Sequence, residues 1–279
     1  MCQECGCSKP GPYQVGDRRV DTHTHTLADG SVITHAHDPG HGHDHHGHHS
    51  HSGHAHPHRI LNLNTGILSA NDRAAEQNRG AFRALGLLVL NVLSSPGAGK
   101  TALLTRTLND LKGRCRAGVI VGDLATDNDA ARLRTTGAPV VQIATGTLCH
   151  LEAGMVAEAL KQLDLRALDL LIIENVGNLV CPAAFDLGEA MRVVLHSVTE
   201  GEDKPLKYPP MFHSADIVII TKMDLAAAAG FDRELAWKNL RQASPRAKIF
   251  ELSARTGEGV PAWCDHLLAL QGAAADATK

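Results

Sequence analysis

The chain has 279 residues, 43% of them hydrophobic, which is enough for a sizeable core in one or two domains. Its formal net charge of −3, with histidine neutral, argues against a general electrostatic grip on nucleic acid or on an anionic membrane. The longest apolar run, Leu85 to Leu93, is about half of the roughly 20 residues that cross a bilayer, and the N-terminus lacks a basic stretch followed by an apolar one. A cytoplasmic protein with neither nucleic-acid nor membrane partners is expected.

The hydrophobic residues are unevenly spread. Residues 1–58 hold 14 of the 18 histidines with many Gly, Asp and Ser, whereas the chain from Leu85 onward reads as an ordinary soluble body. The first stretch divides into a cysteine cluster (1–7), a polar spacer (8–22) and a histidine tract (23–58). Such a composition cannot bury enough surface to offset the entropy of ordering, so a disordered metal-binding arm is predicted over 1–58 in the absence of metal.

Three of the seven cysteines crowd into "MCQECGC" as Cys2, Cys5 and Cys7. In a reducing compartment such a cluster suits metal binding or redox chemistry better than a disulfide framework. The C-x-x-C-x-C spacing lets three thiolates wrap one ion, with the terminal amine as a fourth ligand. That set suits square-planar Ni(II), and a tetrahedral Zn2+ would also accept it. Eleven more potential ligands lie between His37 and His58. Neutral imidazoles on a mobile chain hold divalent ions at modest individual affinity and release them as pH falls toward about 6.5, so storage is the natural role.

Residues 59–84, "RILNLNTGILSANDRAAEQNRGAFRA", read as a helical docking segment. Strands and helices then alternate over 85–279. Apolar runs suited to buried strands occur at 87–93, 117–123, 139–143, 169–175, 192–198, 216–221 and 247–253, with amphipathic helices such as 100–112, 150–163 and 232–243 between them. The rhythm predicts an α/β fold, a mostly parallel sheet with helices on both faces and ligands at the carboxyl ends of its strands.

"LLVLNVLSSPGAGKTALLTRTL" has the strand, Gly-rich loop and helix of a phosphate loop in order. Gly97, Ala98 and Gly99 let backbone N–H groups turn toward phosphate oxygens, Lys100 reaches the terminal phosphates, and the Thr101 hydroxyl suits Mg2+. The first position of the G-x-x-x-x-G-K-[ST] pattern is Ser94 in place of Gly. "TKMD" (Thr221, Lys222, Met223, Asp224) and "SAR" (Ser253, Ala254, Arg255) end two later strands and are similar to the N-K-x-D and S-A-K elements of GTPases. A carboxylate at Asp224 can accept from N1 and the exocyclic amine of guanine, a pair adenine does not offer, which favours GTP. Asp123, Asp127 and Glu174 are candidate acids for Mg2+, more than an octahedral ion bound to phosphates and water requires. Any one of them could cap a helix instead, Asp127 in "TDND" first.

Together with "TGTLCHLEAGMV" (145–156), "ENVGNLVCPAAFDLGE" (174–189) and "SVTEGEDKPLKYP" (197–209), these motifs make the chain resemble the HypB family. These are nickel-insertion GTPases of hydrogenase maturation, in the metal-chaperone branch of the signal-recognition and MinD-like P-loop GTPases. The resemblance spans essentially the whole chain. It implies a GTP-hydrolysing nickel metallochaperone for [NiFe]-hydrogenase assembly, slow in intrinsic turnover. It also implies a homodimer through the GTPase domain, working with hydrogenase maturation proteins and the precursor of the hydrogenase large subunit. The Cys2, Cys5, Cys7 cluster would be a high-affinity nickel site. Cys149, His150 and Cys181 match a second site that holds nickel or zinc between two GTPase subunits and responds to nucleotide. This chain has Gly154 where many members have a further histidine. Two rival readings remain: a nickel or zinc storage protein with little GTPase activity, and a related chaperone for another metalloenzyme. The urease type is disfavoured by the absence of a Cys-Pro-His triplet.

Overall fold

The computed structural model describes residues 13–26, 32–37, 58–124 and 127–277, with the backbone alone described at 18, 21–26, 32–37 and 58–67. In chain order the strands are β1 (Tyr13–Val15), β2 (Arg18–Thr26), β3 (Val32–His37), β4 (Leu88–Leu93), β5 (Ala117–Asp123), β6 (Val140–Ala144), β7 (Leu170–Glu174), β8 (Met191–Ser197), β9 (Ile217–Thr221) and β10 (Lys248–Glu251). The helices are α1 (His58–Leu85), α2 (Lys100–Leu111), α3 (Asn128–Arg134), α4 (Ala153–Leu160), α5 (Lys204–Lys207), α6 (Pro209–His213), α7 (Ala226–Ala229), α8 (Arg233–Ala243) and α9 (Val260–Asp276).

All ten strands form one sheet in the order β10-β9-β8-β4-β7-β5-β6-β1-β2-β3. The first seven in that order are mutually parallel, and β1, β2 and β3 join antiparallel at the β6 edge. β4, β7 and β9 are apolar on both faces and wholly buried, the mark of parallel strands covered on both sides. Leu88, Leu90 and Val92 of β4 face Leu103, Leu104, Leu108 and Leu111 of α2 and Trp263 and Leu267 of α9. Leu87 and Val89 face the other way, toward Phe82 of α1 and Met155, Val156 and Ala159 of α4. Leu93, Val194, Val218 and Ile220 pack beneath Met211, Phe212 and Leu240 of α6 and α8. This is the P-loop α/β architecture that the alternation of runs predicts.

The described part of the arm differs from the expected disorder. Val15 and Gln14 pair with Ile143 and Ala144 of β6, Tyr13 and Val15 are buried against α4 and Phe82, and β2 and β3 extend the sheet. The physical reason is the open edge of β6, whose unpaired N–H and C=O groups accept an added strand with two apolar residues of the right alternation. Cys2, Cys5, Cys7 and the tract at 38–57 lie outside the described residues. Among those described, no helix is long and apolar enough to cross a membrane.

Two amides and Arg79 tie α1 to the body, Arg79 donating to Glu189 O at 3.0 Å and pairing with Asp186. Asn71 Nδ2 donates to Asp186 O at 2.7 Å while its Oδ1 accepts from Ala153 N at 2.8 Å, capping the first turn of α4 from outside. Asn78 Nδ2 donates to Ala153 O and Leu187 O. Gly188, at φ +90°, lies so close that a Cβ there would stand 2.6 Å from Ala75 O.

Candidate nucleotide and metal site

The loop after β4 turns sharply at Gly97 (φ 76°) and Gly99 (φ 99°), backbone conformations that favour glycine, and Gly99 opens α2. Lys100 Nζ donates to Ser94 Oγ at 3.1 Å, so the serine at the pattern's first position holds the lysine across the mouth of the loop. Thr101 Oγ1 donates to Glu174 Oε1 at 2.9 Å. The other oxygen of Glu174 is buried with no hydrogen-bond partner. Burial drives the Glu174 carboxyl up to about 7 against the pull of Lys100 and the Thr101 bond, and burial likewise lowers Lys100 against the pull of Glu174.

Asp123 closes β5 and accepts from Leu124 N at 2.7 Å. Asp127 stands at the head of α3 without capping it, because its carboxylate is drawn to Arg134 at 2.9 Å and is largely exposed. Asp129, absent from the sequence-derived acids, acts on both Lys100 and Glu174. A buried carboxylate oxygen without a donor, beside a hydroxyl and two further acids, is a donor set that fits a hard divalent cation such as Mg2+.

The base end is a cavity of about 340 Å³ lined by Ala98, Gly99, Ala102, Leu103, Thr221, Lys222, Asp224, Leu225, Leu252, Ala254 and Arg255. Thr221 Oγ1 donates to Ala98 O at 2.8 Å and Lys222 Nζ to Gly97 O at 2.7 Å, tying the "TKMD" turn onto the phosphate loop. Lys222 takes a left-handed conformation (φ 58°), which is uncommon outside glycine and aims its side chain back along the loop. Asp224 accepts from Ser253 Oγ at 2.5 Å and Arg255 Nε at 2.8 Å; the Ser253 bond first, then Arg255, holds its carboxyl below the usual range.

Two thiols and an imidazole converge elsewhere in the body. The ligand atoms of Cys149, His150 and Cys181 lie within 4.8 Å of one another. His150 is buried, stacked on Phe185 at a ring distance of 3.9 Å, with Nδ1 4.0 Å from Cys149 Sγ and Nε2 3.6 Å from Glu152 Oε1. Its Nε2 has no hydrogen-bond partner. α4 starts at Ala153, so the Cys-His pair sits just ahead of the helix and not in its first turn. A Cβ on Gly154 would meet nothing within 4 Å. Cys115 and Cys264 stand apart, their thiols pushed up to about 11 mainly by burial.

One stretch spans both places. Glu174 ends β7 at Thr101. Asn175 Oδ1 accepts from Leu151 N at 3.2 Å, next to His150. Gly177 passes the phosphate loop so closely that a Cβ would stand 3.1 Å from Pro96 N and Cα. Asn178 Nδ2 donates to Cys149 O at 3.3 Å, and Cys181 follows.

Comparison with known proteins bears on this arrangement. Residues 88–251 match the family model "CobW/HypB/UreG, nucleotide-binding domain". The hydrogenase maturation factor HypB of Azotobacter vinelandii is 56% identical over 205 residues, 74% of this chain and 68% of that protein. The chain belongs to the HypB family. Two solved HypB structures superpose on it at 42% identity, each covering 73% of this chain. That from Archaeoglobus fulgidus has a TM-score of 0.69 over 99% of its own length, and that from Helicobacter pylori, solved in complex with nickel, 0.70 over 95%. The family match thus runs from the first residue of β4 to the last of β10.

Besides Asp129, three contributors went unassigned in the sequence. Glu200 accepts from Ser95 Oγ of the phosphate loop, from Lys204 Nζ at 2.9 Å and from Ser197 N at 3.1 Å. Its signal was legible as the S-x-x-E capping box of Ser197 and Glu200. Asn175 and Asn178 carried no motif signal of their own, since an amide bridging two loops is defined only by where the loops meet.

Proposed function

We propose that the chain is a GTP-hydrolysing nickel metallochaperone that stores Ni(II) and delivers it for assembly of the [NiFe]-hydrogenase active site. The observation that carries this is the 174–181 stretch, which touches Thr101 at one end and supplies Cys181 at the other, with Gly177 against Pro96 and Asn178 on Cys149 between them. Movement at the phosphates must move a metal ligand, the physical content of a nucleotide-gated metal site. The nickel-bound relative supports the choice of cargo.

In this reading Gly97, Ala98, Gly99, Lys100 and Thr101 hold the phosphates. Thr221, Lys222, Asp224, Ser253 and Ala254 hold the base. Asp224 selects guanine by exchanging Arg255 for the base's N1 and amine donors. Thr101 and Glu174, with Asp123 and Asp127 as further candidates, would hold Mg2+, which when bound neutralises charge on the transferring phosphate. Lys100 positions the phosphates. Lys204 is engaged by Glu200 and Lys222 by Gly97 O, so intrinsic turnover is expected to be slow and dependent on a partner.

Cys149, His150 and Cys181 supply three ligands to nickel or zinc, and a second subunit completes the set. Val180, 52% exposed beside Cys181, gives the homodimer an apolar contact at that point. Cys2, Cys5 and Cys7 form a separate nickel site in the arm. The chain acts in the cytoplasm with hydrogenase maturation proteins and the large-subunit precursor.

The test is nickel titration of the full chain with GDP and with a non-hydrolysable GTP analogue. Nickel affinity at the Cys149 site should differ between the two states, and Lys100→Ala should abolish turnover while sparing nickel binding at Cys2. Equal affinity in both states would reject the gated chaperone in favour of a reservoir.

A further inference from the structure

Asn91 interrupts the apolar run of β4 and is wholly buried there. A polar side chain in such a place costs free energy unless it is hydrogen-bonded, and both ends of this amide are. Its Nδ2 donates to Glu189 Oε1 at 3.1 Å and its Oδ1 accepts from Asn175 Nδ2 at 3.2 Å. Glu189, also buried, accepts from Leu187 N at 2.7 Å on Oε2 and from Arg192 Nε at 2.8 Å on Oε1. Asn175 in turn holds Leu151 N, next to His150.

Arg192 spends the rest of its guanidinium on backbone. Nη1 donates to Ala183 O at 3.1 Å and Nη2 to Phe185 O at 2.8 Å. Those carbonyls belong to the short turn that starts at Cys181, and the Phe185 ring is the one stacked on His150. With the Arg192 side chain 15% exposed and that of Glu189 4%, their charge-assisted bonds are little weakened by water. A single polar line thus crosses the neighbouring strands β8, β4 and β7, from the Cys181 turn at one end to the Cys149-His150 pair at the other.

We infer that Arg192 is a positioning residue for the Cys149, His150 and Cys181 metal site, fixing the Cys181 turn and the Phe185 ring against the Cys-His pair, with Glu189, Asn91 and Asn175 completing the tie. The inference rests on the reading of that cluster as a nickel or zinc site. Arg192 acts only through other residues. Its planar fork sets the angles to a carboxylate and two carbonyls at once, which the single ammonium of a lysine does not. Groups that orient metal ligands from outside govern affinity nearly as strongly as the ligands, and their loss costs about ten- to a hundredfold.

The experiment is nickel titration of the full chain with Cys2, Cys5 and Cys7 replaced by serine, read by thiolate-to-nickel charge-transfer absorption, to which histidine ligands contribute nothing. The band should appear in this parent and be absent from Cys149→Ala with Cys181→Ala. Arg192→Met with Glu189→Gln removes both buried charges together, so neither is left unpaired. Nickel affinity read from the band should then fall by about ten- to a hundredfold. Leu267→Ala, in the α9 core, destabilises the fold by leaving a cavity and should leave band and affinity unchanged. A parent without the band would reject the metal reading of the cluster itself. Given the band, parental affinity in the double variant, or an equal loss in Leu267→Ala, would overturn the role of Arg192 alone. If far-UV circular dichroism shows the double variant unfolded, Arg192→Lys decides, because it keeps the ion pair and gives up the fork: a several-fold loss supports the inference and parental affinity overturns it.

Discussion

Asp224 shows how a single side chain is prepared for a ligand. Ser253 occupies one carboxylate oxygen and Arg255 the other, so under the proposed function a guanine base would replace a donor already in place and would not meet a bare charge. Charge-assisted hydrogen bonds contribute about 1.5–3 kcal/mol each. Asp224→Ala should therefore weaken GTP and GDP binding by roughly ten- to a hundredfold and narrow the preference over ATP, measured by fluorescent-nucleotide competition. His196 is a different case: a wholly buried ring packed near Phe212 and Phe231, with neither nitrogen hydrogen-bonded. Burial holds its pKa below the usual 6.5, against the pull of Glu200. The unfolded chain therefore binds the proton more readily, and the stability from keeping His196 neutral is present above pH 6.5 and is lost as pH falls below it. His196→Leu should flatten the pH dependence of thermal unfolding below about pH 6.5, and at pH 7 should stabilise by about 1 kcal/mol because a buried polar group is removed.

At the scale of elements, the 174–181 stretch and α1 carry the argument. Gly177 has no room for a side chain beside Pro96, and the neighbour that must yield is backbone of the phosphate loop. Gly177→Ala should lower GTP turnover several-fold and reduce the difference in nickel affinity between GDP and GTP states. A variant with normal turnover and undiminished coupling would show that the close approach is incidental. Asn178→Ala removes the tie to Cys149 O and the bond accepted from Val180 N, next to Cys181, and should weaken the coupling while leaving turnover intact. α1 is attached through Asn71 and Asn78 to the start of α4 and to the loop at 186–187. Losing both sides of a buried amide's bonding costs about 1–3 kcal/mol, so Asn71→Ala should lower the unfolding free energy by that amount, read as a lower denaturant midpoint, and, by loosening α4, should weaken nickel binding at His150.

For the whole molecule, three ligands from one chain leave a metal ion short of four, and exposed Val180 lies next to one of them. Val180→Glu should shift the nickel- and nucleotide-loaded protein toward monomer in sedimentation velocity without weakening GTP binding. An unchanged dimer would place the interface elsewhere.

The parallel sheet and the phosphate loop were legible because each is written locally: doubly buried strands as unbroken apolar runs, the loop as glycines with Lys-Thr at a helix start. Glu200 was half legible, as a capping box without a known client. The approach of Cys181 to Cys149 and His150, the amide ties of Asn175 and Asn178, and the loss of Asp127 to Arg134 were not, since each depends on which loops meet at the ends of strands far apart in sequence. The arm shows the division best. Composition alone argued for disorder there, and only the open edge of β6 gave β1, with β2 and β3 beyond it, a place to pair.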